Sequence, residues 1–250
     1  MIAREDRGTV AVIRLAHGKV SALDVELCSA LTAELARARA GGARAVVLTG
    51  TGSAFSAGVD LFRVTRDGAD YVREFLPRMD ELFRAVLTAP LPIVAAVNGH
   101  AIAGGAILAA ACDHRIMSAG TGRIGVPELL VGVPFPALPL SIVLARVAPS
   151  VGRDLVLSGR TVPPDAALGA GLVDEVCEGG ALVDRAVAVA ESLVAIPPVS
   201  FALTKRAFVQ PVLDQVAALA DVDADVARAW SDPAVHAAIA AYLERTVGRK

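Results

Sequence analysis

Two adjacent glycines, Gly104 and Gly105, stand where a buried strand and a turn lead into a helix. The run 93–97 is short and apolar, which predicts a strand covered on both faces, and Asn98-Gly99 is a strong turn signal. The small residues at 106–112 favour a helix. The first N–H groups of a helix lack intrahelical partners and carry partial positive charge. Because glycine lets a ligand approach the backbone closely, this stretch predicts a site for a negatively polarised oxygen.

Glu128 is the one acidic residue in the segment 125–139, GVPELLVGVPFPALP. Most glutamates are solvated surface groups, and a loop residue can be one of them. A carboxylate that lies partly out of water has a raised pKa and is suited to moving protons near neutrality. The apolar surroundings of Glu128 favour this second interpretation, which makes it the candidate acid or base.

The loop 50–60 invites two other interpretations. Its start follows a predicted strand and resembles part of a dinucleotide-binding fingerprint, but Phe55 stands where the third glycine would permit close helix–strand packing. The segment 54–58 contains Ser56 and is one glycine short of a nucleophile elbow. Because no acid and histidine partners can be assigned to Ser56, a serine hydrolase is a distant alternative.

The elements that must position these residues alternate between strand and helix, and helices alone follow, which indicates an α/β core with a helical extension. Strands are predicted at 9–15, 45–49, 93–97, 114–117 and 173–176, and helices at 24–40, 71–87, 138–147, 150–157, 165–170, 181–194, 199–209, 212–230 and 234–247. A boundary is predicted near Ile196-Pro197-Pro198. It divides the chain into a core, 1–195, and a C-terminal helical region, 196–250.

Composition excludes several classes of partner. The chain has 250 residues, 54% of them hydrophobic, and its net charge of −2 gives no reason to propose nucleic acid or an anionic membrane surface. The uncharged stretch 92–112 approaches the length of a membrane span, yet Asn98, Gly99 and His100 in its middle argue against one. Three separated cysteines, without metal-ligand spacing, predict reduced thiols, a cytoplasmic setting and no bound metal.

Several segments of the chain match, in order, the motifs of one known family. They are FSAGVDL (55–61), NGHAIAGG (98–105) closed by Cys112-Asp113, KVSALD (19–24), GVPE (125–128), LSGR (157–160) and AGLVD (170–174). The first two resemble the signatures of the crotonase superfamily, also called the enoyl-CoA hydratase/isomerase family. The third looks like that family's coenzyme A contact loop, and the fourth looks like its catalytic glutamate segment. The resemblance covers nearly the whole chain.

The resemblance implies an α/β fold, the crotonase-type spiral of stacked β–β–α turns, with the region 196–250 used to assemble a homotrimer or hexamer. It implies an acyl-CoA thioester as substrate, with coenzyme A part of that substrate and no separate cofactor. By motif position, the backbone N–H groups of Val59 and Gly104 hold the thioester oxygen, and Glu128 is the catalytic acid or base. The residues placed against substrate or coenzyme A are Ala22, Leu23, Ala57, Gly58, Val59, Asp60, Leu61, Gly104 and Gly105.

Four charged residues are weaker candidates. Lys19, Lys205 and Arg206 could contact the nucleotide phosphates, although lone basic residues are usually solvated. Asp60 follows the donor at Val59 and is suited to capping or bracing that loop.

One position departs from the pattern of many hydratases in this family. They carry a second glutamate three residues after the glycine donor, where this chain has Ile107. Hydration of a 2-enoyl-CoA is easiest with two groups that orient water and carry protons, whereas isomerisation of a 3-enoyl-CoA needs only one base. The favoured prediction is therefore a single-glutamate isomerase that uses Glu128. An enoyl-CoA hydratase is the alternative, and a non-catalytic acyl-CoA-binding member of the family is another.

Overall fold

The computed structural model describes residues 1–246 and 248. In chain order its strands are β1 (Ile2–Arg7), β2 (Val10–Leu15), β3 (Ala45–Thr49), β4 (Ala54–Ser56), β5 (Ile93–Val97), β6 (His100–Ile102), β7 (His114–Ser118), β8 (Ile124–Gly125), β9 (Thr161–Val162) and β10 (Glu175–Cys177). Its helices are α1 (Val25–Ala40), α2 (Leu61–Leu87), α3 (Gly104–Ala111), α4 (Glu128–Val131), α5 (Ala137–Leu144), α6 (Pro149–Ser158), α7 (Pro164–Ala170), α8 (Leu182–Val194), α9 (Pro198–Ala218), α10 (Ala220–Trp230) and α11 (Pro233–Thr246). Position 247, where the last predicted helix ends, and positions 249 and 250 of the predicted C-terminal region lie outside the described residues.

The larger sheet has the strand order β1-β2-β3-β5-β7-β10. β1 and β2 are antiparallel, and each later pair of neighbours is parallel. β3 and β5 are buried along their whole length, because α8 covers one face of the sheet and the main hydrophobic core lies on the other. The predicted strands 45–49 and 93–97 are confirmed, and for 93–97 so is the predicted burial of both faces.

A second sheet of very short strands runs in the order β4-β6-β8-β9. The chain alternates between the sheets: β3, β4 and α2 form one turn, β5, β6 and α3 the next, and β7, β8 and α4 a third. β4, β6 and β8 are parallel neighbours, so the loops that follow them lie at one edge of the small sheet. The expected spiral of stacked β–β–α turns is confirmed, and this edge is where the site forms.

Two aspartates cap the helices that flank this edge. The carboxylate of Asp24 accepts a hydrogen bond from the N–H of Leu27 at 2.7 Å, and that of Asp60 accepts from the N–H of Arg63 at 3.1 Å. A side-chain N-cap satisfies one of the unpaired donors of the first helical turn. The predicted start of α1 is confirmed, and Asp60 braces its loop as a cap.

Backbone features at Gly68 and Pro211 account for two differences between the observed and the predicted helices. α2 is non-helical at Gly68 (φ 70°, ψ −156°). A helical segment that was not predicted, beginning at Leu61, therefore precedes this kink, and the segment after the kink contains the predicted helix 71–87. α9 continues through Pro211, where a break was predicted. Proline removes one helical hydrogen bond, but Val209 and Val212 on either side are buried against the core, which holds the helix together.

The C-terminal helices fold back onto the first part of the chain. α10 packs against α2 and α5, and α11 packs against α2 and α4. The indole N–H of Trp230 donates to the carbonyl oxygen of Pro134 at 2.8 Å, and the carboxylate of Asp223 accepts from the N–H of Ala137 at 2.8 Å. The division at 195 stays a prediction; buried residues from both of its parts belong to one hydrophobic core.

The stretch 92–112, considered above as a membrane span, instead forms β5, β6 and α3. Within the described residues no single helix has both the length and the apolar composition needed to cross a bilayer. The segments Gly179–Val194 and Pro198–Ala218 meet that test only as a pair, and they are bent by 104°.

We expect the ion pair between Lys205 and Asp113 to hold α9 on the sheet. Nζ lies 2.8 Å from Oδ2, and the side chains are 8% and 17% exposed. Removing one partner of a fully buried pair costs about 3–5 kcal/mol. Asp113 also accepts from the N–H of Ile93. Lys205→Met should therefore lower the free energy of unfolding, measured by urea titration, by about 2–3 kcal/mol.

The matched control for this variant is Arg206→Met, at an exposed neighbouring position. It should change the free energy of unfolding by less than about 0.5 kcal/mol. Equal effects of the two substitutions would contradict the anchoring role of the ion pair.

Candidate active site

A cavity of about 100 Å³ opens where β4, β6 and β8 end. Its walls come from three successive β–β–α turns and from the C-terminal helices. The lining residues are Ala57, Val59, Leu61, Met79, Ile102, Ala103, Gly104, Ile107, Pro127, Glu128, Val131, Val133, Phe135, Pro136, Pro139, Trp230 and Tyr242. The three predicted catalytic residues, Val59, Gly104 and Glu128, thus face one mostly apolar space.

The loops that carry Val59 and Gly104 meet in direct backbone contact. Gly58 has a φ of 82°, and a Cβ built on it would lie 2.5 Å from the carbonyl oxygen of Ile102 and 3.0 Å from the nitrogen of Gly104. A Cβ on Gly104 would lie 2.9 Å from the side chain of Leu23. A side chain at Gly58 would therefore force these loops apart, and glycine permits both the approach and the positive φ.

The N–H groups of Val59 and Gly104 have no protein acceptor among the described residues. A parallel bridge joins Val59 to Leu23: the N–H of Leu23 donates to the oxygen of Gly58 at 2.7 Å, and the N–H of Asp60 donates to the oxygen of Leu23 at 2.9 Å. The bridge fixes the loop without using the Val59 donor. Two such fixed donors beside one cavity can stabilise an oxygen on which charge develops.

Ala103, which precedes α3, has an unusual backbone conformation. Its φ of 51° and ψ of −124° are rare for a residue with a side chain and cost about 1–3 kcal/mol. Its N–H donates to the oxygen of Gly125 at 2.8 Å, and its oxygen accepts from the N–H of Ile107 at 3.1 Å. The first bond joins the start of α3 to β8, and β8 leads directly to Glu128. The segment that carries the Gly104 donor is therefore hydrogen-bonded to the segment that carries the acid.

Glu128 begins α4 and is buried; among residues 1–246 and 248 it has no charged partner. It is 7% exposed, and its Oε2 atom has no hydrogen-bond partner in the part of the chain that the structure describes. Burial raises the pKa of Glu128 to about 8, because the ionised form loses its hydration. This direction agrees with that expected for a desolvated carboxylate, and a carboxyl group with such a pKa can exchange protons near neutrality.

Ile107 lies one turn into α3 and lines the same cavity. Val131, Val133 and Phe135, from the segment after Glu128, continue the apolar wall. Glu128 is the one acidic side chain among the lining residues described. The position at which a hydratase of this kind would carry a second glutamate is therefore occupied by an alkyl group that can neither orient water nor carry a proton.

Ser56 is not placed as a nucleophile. It is completely buried, and its hydroxyl group donates to the oxygen of Ser21 at 2.7 Å and accepts from the N–H of Gly58 at 3.2 Å. A Cβ on Gly105 would lie 2.2 Å from the oxygen of Ser56, which shows how tightly the helix packs against it. Ser56 braces the loop that leads to Val59, and the serine hydrolase alternative is left without its nucleophile.

The structure brings some of the predicted substrate contacts to the cavity and leaves others outside it. Those that line it are Ala57, Val59, Leu61 and Gly104. The predicted contacts beyond the lining are Ala22, Leu23, Gly58, Asp60 and Gly105. Leu23 and Gly58 lie directly behind Gly104, and Gly105 packs on Ser56. Their roles as contacts to coenzyme A or substrate stay predictions.

The prediction that Lys205 contacts a phosphate is wrong. Its ammonium group is buried against Asp113, where α9 meets the sheet. A lysine in a helical segment gives no local sign of such a distant partner. Lys19 and Arg206 are exposed, and their roles stay predictions.

Sequence reasoning missed Trp230 and Tyr242, which bring α10 and α11 to the cavity. Trp230 is 2% exposed and bonded to the oxygen of Pro134, in the segment that follows Glu128. It is the one tryptophan of the chain, and its presence in a predicted helix was the available signal. The local sequence pattern of a helix does not predict which distant segment of the chain it contacts.

Comparison with known proteins agrees with this geometry. The family model for enoyl-CoA hydratase/isomerase matches residues 5–248. A putative enoyl-CoA hydratase of Thermus thermophilus is 44% identical over 169 residues, which cover 66% of this chain and 66% of that protein, just under two thirds of its length. Enoyl-CoA delta isomerase 1 of mouse mitochondria is 27% identical over 254 residues, covering 100% of this chain and 88% of that protein.

A solved structure of an isomerase is also similar to this chain in its fold. Human mitochondrial delta3-delta2-enoyl-CoA isomerase superposes with a TM-score of 0.94 at 25% identity, covering 100% of this chain and 99% of that one. The superposition therefore includes the C-terminal helices that reach the cavity. Relatives carry both hydratase and isomerase names. The chain belongs to the enoyl-CoA hydratase/isomerase family, the crotonase superfamily, and is an enzyme of crotonase type.

Proposed function

We propose that this enzyme converts 3-enoyl-CoA thioesters into 2-enoyl-CoA thioesters, with Glu128 as the single proton carrier. The observation that carries the proposal is the cavity wall, where one buried carboxyl group stands among apolar residues and Ile107 occupies the position of a second acid. One carboxyl group suffices for isomerisation, because the proton removed from one carbon is returned to another.

In the proposed reaction, the thioester oxygen accepts hydrogen bonds from the N–H groups of Val59 and Gly104. The Glu128 carboxylate removes a proton from C2, and the electrons of that C–H bond delocalise into a dienolate with charge on the oxygen. Glu128 then returns the proton to C4, and the double bond moves from C3–C4 to C2–C3. Removal of one comparable donor in another enzyme costs about 2.7–4 kcal/mol, which indicates what each N–H group contributes.

An enoyl-CoA hydratase is the second candidate, and the hydratase name of the Thermus relative favours it. It would need a second acid or base to act on water together with Glu128. The lining described above holds no second carboxylate, and its one other ionisable side chain is the phenol of Tyr242. A non-catalytic acyl-CoA-binding protein is a third. Turnover of 2- and 3-enoyl-CoA, alongside binding of a saturated acyl-CoA, separates all three.

We also propose that copies of the chain assemble, as a trimer or a dimer of trimers. Support comes from two exposed apolar side chains one turn apart on α9: Val199 is 71% exposed and Leu203 59%. Residues four apart share one face of a helix, and contiguous exposed apolar surface marks protein contacts.

Glu128→Gln should lower kcat for 3-trans-hexenoyl-CoA by about 10²–10⁴-fold, because the amide keeps the shape of the side chain but cannot accept the C2 proton. The rate is followed as the conjugated 2-enoyl thioester forms. Hexanoyl-CoA, which cannot react, should bind the variant within a few-fold of the wild type in calorimetric titration. An unimpaired variant, or a wild type that only hydrates 2-hexenoyl-CoA, would contradict the proposal.

The pH dependence follows from the burial of Glu128. Its carboxylate is the active form, and kcat/KM reports the ionisation of the free enzyme. With the pKa of Glu128 raised to about 8, kcat/KM for 3-hexenoyl-CoA should rise about tenfold per pH unit below pH 8 and level off above it. A flat profile from about pH 6 to pH 9 would contradict a raised pKa at the catalytic base.

Gly58→Ala should separate the two backbone donors, since its Cβ would collide with the backbone at Ile102 and Gly104. We expect kcat/KM to fall by about 10²-fold or more, the loss typical of one missing donor. Gly52→Ala is the matched control: its φ is also positive, at 66°, and nothing lies within 4 Å of the added Cβ. Both variants carry the same kind of backbone strain, so equal activity would remove the argument for the donor pair.

A further inference from the structure

A second cavity, of about 490 Å³, lies between α5 and α9, beside the residues that follow α3. It shares no lining residue with the active-site cavity. Most of its wall is apolar, and α9 contributes one face of the helix, with Phe201, Lys205 and Phe208 at spacings of four and three. The exposed pair Val199 and Leu203 lies on the opposite side of α9. The cavity is therefore separate from the active site and from the surface proposed for assembly.

Arg146, in the wall of this cavity, uses only part of its guanidinium group in the fold. Nε donates to the carbonyl oxygen of Ala110 at 2.6 Å, and Nη2 donates to that of Cys112 at 2.9 Å. These bonds satisfy the C-terminal end of α3, where a cation is favourable. A guanidinium group has five N–H donors in a fixed fork. Those on Nη1 have no acceptor within residues 1–246 and 248. Because Nη1 is not a buried atom, these donors stay accessible beside the cavity.

The positive charge of Arg146 is not paired with a carboxylate among the described residues. The two carboxylates that act on it pair with other cations: Asp113 with Lys205 at 2.8 Å, and Asp174 with Arg115 at 2.6 Å. Three cations thus stand against two carboxylates, which leaves one positive charge uncompensated. Burial lowers the pKa of Arg146, the direction expected for a cation that has lost hydration.

Unpartnered donors continue beside this charge. His114 lines the cavity, and its Nε2 atom is buried with no partner in the described part of the chain. Its Nδ1 atom lies 3.9 Å from Oδ2 of Asp174, too far for a hydrogen bond. Nε and Nη1 of Arg115, whose side chain is 6% exposed, are also buried and lack partners within the described residues. Since buried polar groups normally have partners, this region lacks an anionic acceptor.

The charge and the wall of the cavity together define the ligand. One uncompensated cation balances one negative charge, whereas the second charge of a phosphate dianion would be buried unpaired, at a cost. The apolar wall, with Phe208 exposed at its rim, favours a ligand with an apolar body. The cavity has about three times the volume of one that holds a benzene molecule, so it has room for a chain of several carbons.

We propose that this cavity binds a monocarboxylate with an alkyl body, a fatty acid of medium length, whose carboxylate accepts hydrogen bonds from Arg146. The alkyl body lies along α9 against Phe201 and Phe208. Arg146 bonds to the C-terminal end of α3, and the Gly104 donor is at the other end. The fatty acid and a thioester oxygen would therefore bind at opposite ends of one helix.

The first test compares three ligands by calorimetric titration near pH 7, where a carboxylic acid is ionised. Octanoate should bind at one site per chain. 1-Octanol keeps the alkyl chain without the charge and should bind at least about tenfold more weakly. Acetate keeps the charge without the chain and should also bind at least about tenfold more weakly. No binding of octanoate, or equal binding of either comparison ligand, would overturn the site.

Thr204→Trp places a large side chain in the cavity from an exposed position on α9. It should weaken octanoate binding at least about tenfold, because the alkyl chain can no longer be buried there. Ala207→Trp, exposed on the same helix and lining neither cavity, is the matched control and should leave the affinity unchanged. Equal affinities of the two tryptophan variants would overturn the inference.

Arg146→Met should weaken octanoate binding as strongly as Thr204→Trp, since it removes the cation. It also removes the bonds to Ala110 and Cys112, so its unfolding curve is measured alongside, and Thr204→Trp decides if this variant does not fold. A folded Arg146→Met that binds octanoate with unchanged affinity would contradict the proposed role of the guanidinium group.

Competition with hexanoyl-CoA shows which cavity the fatty acid occupies. Saturating hexanoyl-CoA should leave the affinity for octanoate unchanged, because the two cavities share no lining residue. Displacement of octanoate would place the fatty acid in the active-site cavity and overturn the inference. None of these measurements depends on turnover, so an enzyme that binds octanoate but does not isomerise 3-enoyl-CoA contradicts the proposed reaction alone.

Discussion

The contact between the backbones of Gly58 and Gly104 is the constraint on which the site depends. No Cβ fits between the loops at this point, so two N–H groups from separate turns of the spiral can lie beside one cavity. The surrounding structure holds the loops there: Leu23 bridges to Val59, and the hydroxyl group of Ser56 bonds to the oxygen of Ser21. A preorganised pair of donors needs no reorganisation when charge develops on an oxygen.

The same backbone also carries strain and an unpaired acid, and both are costs to stability. Ala103 has a positive φ, and Glu128 is buried with no cation paired to it among the described residues. Residues of this kind persist only where their surroundings determine the conformation. Here the surroundings are the hydrogen bonds that Ala103 makes with Gly125 and Ile107 and the apolar residues that line the cavity with Glu128. Strain and burial at one point are typical of a functional site rather than of a structural loop.

Local sequence predicted the parts of the fold that carry strong local patterns. The strands 45–49 and 93–97 are continuous apolar runs, and the helix predicted from position 24 begins at an aspartate, a residue type that often caps helices. These three elements are confirmed. β4, β6 and β8 have only two or three residues each, too few for a period to show, and they exist because non-local partners pair with them. Recognition of the family supplied the spiral that these strands build.

Some residues of the candidate site could be predicted from local sequence, and others could not. Glu128 and Gly104 stand in segments whose composition alone suggests chemistry, whereas the pairing of Val59 with Gly104 came from the family resemblance. Trp230 and the buried Lys205 could not be placed, because each depends on a contact between segments distant in the chain: Trp230 with Pro134 and Lys205 with Asp113. Tertiary packing, rather than helix propensity, decides where such side chains lie.

The apolar wall gives Glu128 its chemical character in the proposed reaction. Ile107, Val131 and Val133 line the same cavity as the carboxyl group, with apolar surface that does not hydrogen-bond to water. A proton taken from C2 therefore has few competing acceptors before it returns to C4, and the same lack of hydration raises the pKa of Glu128. A hydratase requires the opposite condition, since a water molecule must be held and oriented beside C3. One alkyl side chain at position 107 thus works against hydration and in favour of moving the double bond.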